Sequence, residues 1–175
     1  MPETPDPSLL EALLDSWDRN NTILVSLLRA LPEGGFEARA MAGSPSIAEL
    51  FMHIRYVRLS AVAENALEFA SDRPELALQD DDEWVAERDP DRIAQLLNDS
   101  AKVVRDAVKS YVDSGWNMTG MYISYPHPIL LLQHMLWHEG YHVGQMKLAL
   151  KATGRPMTDQ EAGPVTWGVW WKHKD

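Results

Sequence analysis

The chain has 175 residues, 45% hydrophobic and 24% charged, with a formal net charge of −10, which suits one domain over residues 1–175 around one core. The acidic balance repels phosphate backbones and argues against a nucleic-acid partner, and no run nears the roughly 18 apolar residues that cross a bilayer, so no membrane partner is expected. Cysteine is absent, which removes disulfides, thiolate metal sites and a cysteine nucleophile, and fits a reducing cytoplasm; the opening Met1-Pro2-Glu3-Thr4 has neither the basic start nor the apolar run of a secretory signal.

Four segments carry helical periodicity, and none carries a convincing strand pattern. The first runs from about Pro7 to Leu31, with Leu10, Leu13, Trp17, Leu24, Leu27 and Leu31 on one stripe. Pro7 suits a first turn, and Pro32 with Gly34-Gly35 stops the helix. The second runs from about Ser46 to Ala70; Ser46 and Glu49 have capping-box spacing, and Ile47, Leu50, Phe51, Ile54 and Val57 form its apolar face. Residues 71–88 then make a long connection with an acidic run at Asp80-Asp81-Asp82-Glu83. Its length suits a crossing at one end of a bundle, and the run reads as a solvated face because a calcium loop's alternating ligands and glycine turn are missing. The third helix spans about Pro90 to Ser114, with Ile93, Leu97, Val104, Val108 and Tyr111 on one side and Gly115 after it. The fourth spans about Pro128 to Thr153, followed by Gly154 and Pro156. The remaining segment, 157–175, is rich in tryptophan (Trp167, Trp170, Trp171) and suits a cap on the bundle or a partner surface, for instance in a homodimer. The expected fold is all-α, a four-helix bundle with a long connection between helices two and three.

The fourth segment contains His134, His138 and His142, spaced by four. Four helical steps turn the chain by about 400°, so neighbours in this ladder share a face roughly 6 Å apart along the axis, while His134 and His142 are separated by roughly 12 Å. Two adjacent rings can hold one ion at about 2.0–2.1 Å. Gly140 and Gly144 are also spaced by four and would let a neighbouring helix approach beside His142, which selects His138 and His142 as the pair and leaves His134 to support or packing. A third ligand must come from elsewhere. His127 lies in a loop between prolines and His173 near the chain's end, whereas His53 sits beside the apolar stripe of helix two. His53, His138 and His142 are therefore the candidate metal ligands, as in bundles whose sites are built from facing helices; buried histidines without chemistry are the plainer alternative.

His138-Glu139-Gly140-Tyr141-His142 also fits H-E-x-x-H, in which the glutamate activates a zinc-bound water. A glycine inside the motif, the lack of a third ligand shortly downstream and the lack of a sheet edge for a peptide argue against a metalloprotease. Glu139 then reads as a solvated or helix-pairing carboxylate. Glu139, Gln145 and Tyr141 remain candidate catalytic groups, with Asn20 or Asn21 and His134 as further neighbours of the site. Trp137 is a candidate for the pocket wall or the core, and Trp116, Tyr122 and Tyr125 for a cover over the site's mouth or for packing over the bundle end.

Two stretches, "SIAELFMHIRYV" in helix two and "QHMLWHEGYHVGQMKLALKATGRP" in helix four, resemble the DinB/YfiT-like family. The family's pattern of one helix-two histidine and a final H-x-x-x-H followed by Gly-Gln falls here on His53, His138, His142, Gly144 and Gln145. The resemblance implies a four-helix bundle with a divalent ion, commonly zinc or nickel, on three histidines and positions open to water or substrate. It also implies, as in characterised relatives, a metal-dependent enzyme using a low-molecular-weight thiol such as bacillithiol or mycothiol on a small-molecule substrate; with no cysteine in the chain, the thiol must be external. A metal- or ligand-binding stress-response protein without catalysis is the competing expectation, and a metal-dependent hydrolase a more distant one.

Overall fold

The computed structural model describes residues 7–70 and 86–171. Within them lie five α-helices, α1 (Pro7–Arg29), α2 (Ile47–Asn65), α3 (Pro90–Ser114), α4 (Ile129–Ala152) and α5 (Asp159–Val165), with one two-stranded ribbon of β1 (Met118–Thr119) and β2 (Ser124–Tyr125). The acidic run at residues 80–83 and His173 lie outside the described residues. The four long helices share the core: α3 packs against α1 and α2, and α4 against all three. Among the described residues no helix is long and apolar enough to cross a membrane.

Local chemistry sets the helix ends. The Ser46 hydroxyl accepts from the Glu49 amide at 3.3 Å while the Glu49 carboxylate accepts from the Ser46 amide at 2.5 Å, so the reciprocal cap forms. Asp89 accepts from the amides of Asp91 and Arg92 ahead of α3, and Gly115 closes that helix with a φ of 69°, a left-handed turn that glycine adopts without strain. Two ends fall short of expectation. α1 stops at Arg29 because Pro32 biases the residue before it away from helical backbone. α2 stops at Asn65, whose side-chain amide donates to the carbonyl of Ala61 at 3.0 Å, and a 3-10 turn over Leu67–Phe69 follows.

The apolar interior divides into two clusters. One gathers Leu14 and Trp17 of α1, Leu59 and Val62 of α2, Val104 and Val108 of α3, and Leu131 and Met135 of α4. The other gathers Leu24 and Leu28, Ile47 to Ile54, Ile93 and Leu97, and Met146 and Leu150. Read along the chain, α1 and α4 pass from the first cluster to the second, while α2 and α3 both pass from the second to the first. Consecutive helices α2 and α3 therefore run in the same direction. The connection expected to cross one end of the bundle lies mostly in residues 71–85, outside the described residues. On its described C-terminal side Arg88 pairs with Glu37 in the α1–α2 loop at 2.5 Å.

Between the clusters lies a polar layer. Arg58 of α2 and Glu139 of α4 are 0% exposed and paired through two parallel bonds of 2.6 and 2.7 Å. Asn20 donates to Glu139 at 2.5 Å, and Arg58 also donates to Asn21, to the Leu97 carbonyl and to Ser100 at 2.9, 2.9 and 3.3 Å. The guanidinium lies 4.8 Å from the centre of the Trp17 ring, whose N–H donates to the Ala101 carbonyl. Residues from all four long helices thus satisfy one buried charge pair, as a buried pair requires.

The tail folds back on its own chain. Thr158 and Glu161 cap α5 reciprocally, Arg19 donates to the Val169 carbonyl at 2.7 Å and lies over Trp170, and Lys147 lies over Trp167. The ribbon was not expected, because two-residue strands are too short to carry alternation. It is gripped from α2, where the Glu64 carboxylate accepts from the amides of Tyr122 and Ile123.

Removing either partner of the buried pair strands a charge. In urea titrations, Arg58→Ala and Glu139→Ala should each cost about 3–5 kcal/mol, and the Arg58→Met/Glu139→Leu double variant should lose less than either. A loss below about 1 kcal/mol in both single variants would show that the layer is not a structural keystone.

Candidate metal centre

The histidines sit at the level of this polar layer. His53 lies five residues before Arg58 on α2, and His138 precedes Glu139 on α4. The ion pair that fixes α2 against α4 therefore also sets His53 opposite the helix-four ladder. The Nε2 atom of His138 lies 3.3 Å from Nε2 of His53 and 3.0 Å from Nε2 of His142. One ligand nitrogen from each of the three rings lies within 4.8 Å of the others. Tetrahedral nitrogens about 2.05 Å from a zinc ion lie roughly 3.3 Å apart, so the spacing around His138 is that of a chelate. The three histidines can hold a metal ion.

Their electrostatics favour the same role. Burial lowers the pKa of His138 to about 4, with the like charges of His142, His53, His134 and Arg58 adding to the effect. Burial, then the charge of His142, also lowers the pKa of His53. Neutral rings keep the lone pairs that a metal needs. The Nδ1 atom of His142 lies 2.7 Å from Oε1 of Gln145. A carbonyl oxygen only accepts, so the His142 proton sits on Nδ1 and the lone pair on Nε2 faces the cluster.

The cluster opens on a cleft of about 480 Å³ lined by Pro45, Glu49, Leu50, His53, Tyr141, His142 and Gln145. Pro45, Glu49 and Leu50 had no place in the site as read from sequence; Glu49 and Leu50 stand one turn ahead of His53, and Pro45 lies just before α2 begins. Trp137 is 72% exposed and stacks on Tyr141, with ring centres 6.0 Å apart and planes inclined by 13°. It supports the pocket wall rather than forming it.

Several expectations need correction. Glu139 is the helix-pairing carboxylate of the two expected kinds and not the solvated one: Arg58 of α2 and Asn20 of α1 occupy its two oxygens inside the core, and this removes the free carboxylate that a zinc-protease reading requires. Asn20 and Asn21 serve the same ion pair, with Asn21 also donating to Asn98 at 2.7 Å. Gly140 and Gly144 face open space, with nothing among the described residues within 4 Å of where a Cβ would stand, so no described helix packs on them. His134 is exposed, its Nδ1 2.8 Å from the Tyr125 hydroxyl and outside the cluster. Trp116, Tyr122 and Tyr125 do not line the cleft; Trp116 and Tyr122 are exposed and Tyr125 is buried beside His134. Arg58 was missed altogether, although an arginine four residues after Ile54 on an apolar face is the kind of interruption that marks a buried pair.

This is a bundle-borne tri-histidine centre, and the chain belongs to the DinB superfamily, whose sequence model matches residues 16–146. The matched span holds all three histidines, Arg58 and Glu139. No curated protein and no solved structure matches the chain.

The lowered imidazole values fix the sign of a pH effect. In the unfolded chain His138 protonates near its ordinary 6.5, and in the metal-free fold only near 4. The unfolded state thus takes up the proton first as pH falls, so stability present above pH 6.5 is lost on the way down to about 4. Metal-free wild type should lose more melting temperature over that window than His138→Leu. Equal losses would mean that the His138 ring is not shielded from protons by the fold.

Proposed function

We propose that this chain is a divalent-metal-dependent enzyme of the thiol S-transferase type, with zinc or nickel held by His53, His138 and His142 and a low-molecular-weight thiol, such as bacillithiol or mycothiol, as cosubstrate. The observation that carries the reading is the convergence of three imidazoles at an open cleft. A bound ion with a free position supplies acidity, lowering the pKa of a thiol enough to make a nucleophile at neutral pH.

The chain's own residues prepare that position. Gln145 holds the lone pair of His142 toward the cluster. Burial keeps His53 and His138 unprotonated near neutrality. Leu50 and Pro45 offer an apolar wall to the carbon skeleton of an electrophile. No cysteine competes for the ion or for the electrophile, so the reacting sulfur is external. Membership of the family supports the metal, not the reaction, because a fold and its site host several chemistries.

Elemental analysis of purified protein should give near one divalent ion per chain, largely lost in His53→Ala and in His142→Ala. Loaded wild type should consume a low-molecular-weight thiol in the presence of an epoxide or a halogenated compound, and both variants should not. A wild type without metal would overturn the whole reading. A loaded wild type that consumes no thiol would leave a metal- or ligand-binding protein of the stress-response kind.

A further inference from the structure

The histidine ladder on α4 has a second ladder beside it. Trp137, Tyr141 and Gln145 are also spaced by four and lie one residue out of step with His138 and His142, so they run beside the histidines on the helix, with Tyr141 and Gln145 lining the cleft. All three touch in sequence. Trp137 stacks on Tyr141, the Tyr141 ring meets the His142 ring edge-on at 5.2 Å, and Gln145 bonds both Tyr141 and His142.

These bonds have a direction. If His142 ligates through Nε2, its proton is on Nδ1, and Gln145 must receive it through Oε1. The amide nitrogen of Gln145 is then turned to the Tyr141 oxygen, 3.1 Å away, and donates to it. The phenol oxygen is an acceptor in this chain, and its own proton finds no acceptor among the described residues. That proton belongs to a residue that lines the cleft. Trp137 on one face and His142 at the other edge limit the ring's freedom, which accounts for a tryptophan left 72% exposed.

We propose that Tyr141 is the substrate-orienting hydrogen-bond donor of the centre, and that the cleft takes electrophiles with an acceptor oxygen, such as a carbonyl or an epoxide, next to an apolar body resting on Leu50 and Pro45. This rests on the tri-histidine metal reading, since ligation by His142 sets the direction of the chain of bonds. Tyr141 holds the oxygen by hydrogen bonding alone and exchanges no proton with it. Gln145 acts as a positioning residue that presents both the His142 lone pair and the Tyr141 hydroxyl.

The test uses full-length protein loaded with cobalt(II), whose absorption reports ligands entering its coordination sphere. Two probes are titrated: acetohydroxamate, which brings acceptor oxygens to the metal, and 1-methylimidazole, which has no acceptor left once it ligates. Tyr141→Phe keeps the stack on Trp137 and removes only the donor. It should weaken acetohydroxamate by about 5–10-fold, the usual worth of one such bond, and leave both the 1-methylimidazole affinity and the cobalt content unchanged. Equal acetohydroxamate affinity in variant and wild type would overturn the proposal, as would a parallel weakening of both probes, which would mark a merely structural tyrosine. A wild type that takes up no cobalt would instead overturn the metal reading beneath it.

Discussion

A single buried ion pair organises this molecule. Arg58 and Glu139 are both fully shielded from water, and a charge so placed is tolerated only when nearly every polar atom around it is satisfied. That demand reaches every long helix: Asn20 and Asn21 from α1, Arg58 from α2, Ser100 and the Leu97 carbonyl from α3, and Glu139 from α4. Apolar packing above and below it is compatible with small slips of one helix along another. A bidentate guanidinium–carboxylate contact is not, because its two bonds hold only in one register. The pair joins α2 to α4 at the level where their histidines face each other, so the precision a metal site needs is supplied by neighbours outside the histidine cluster.

Helix α4 carries this division of labour around its circumference. Glu139 points into the core, His138 and His142 point toward α2, and Trp137 and Tyr141 point outward. Such a helix has no single apolar face, since its core-pairing glutamate, its clustered histidines and its outward aromatic residues occupy successive sectors about 100° apart. The H-E-x-x-H string is a by-product of that arrangement. The glutamate one step from a histidine lies in a different sector from it, and here that sector is the protein interior. In a zinc protease the same spacing serves because the motif's glutamate is left free to meet the metal-bound water; in this chain an arginine claims it.

What could be read from the sequence follows from the range of the interaction concerned. The four long helices, the cap at Ser46 and the stop at Gly115 are written in neighbouring residues and appear where periodicity and capping chemistry place them, except that α1 and α2 end early. The His138–His142 pair is equally local. His53 was reachable because a histidine beside an apolar stripe is conspicuous, whereas Gly140 and Gly144 face open space and bring no described helix toward His142. The Arg58–Glu139 pair is 81 residues apart in the chain, and no local pattern announces such a partner. The ribbon at Met118–Tyr125 depends likewise on a carboxylate from α2, and the shared direction of α2 and α3 shows only in how their apolar residues divide between the two clusters.

The polar layer also bears on why the centre lies on histidines alone. A carboxylate in the ligand set would place a negative charge close to Glu139 and compete with it for Arg58, weakening the contact that fixes the helices. Neutral imidazoles leave that pair undisturbed, and the positive charge of Arg58 reinforces the choice by disfavouring protonation of His138. A divalent ion held by three neutral ligands would have no ligand charge set against its own. The same buried charges that set the register of the helices therefore also bias the centre toward unprotonated nitrogen ligands.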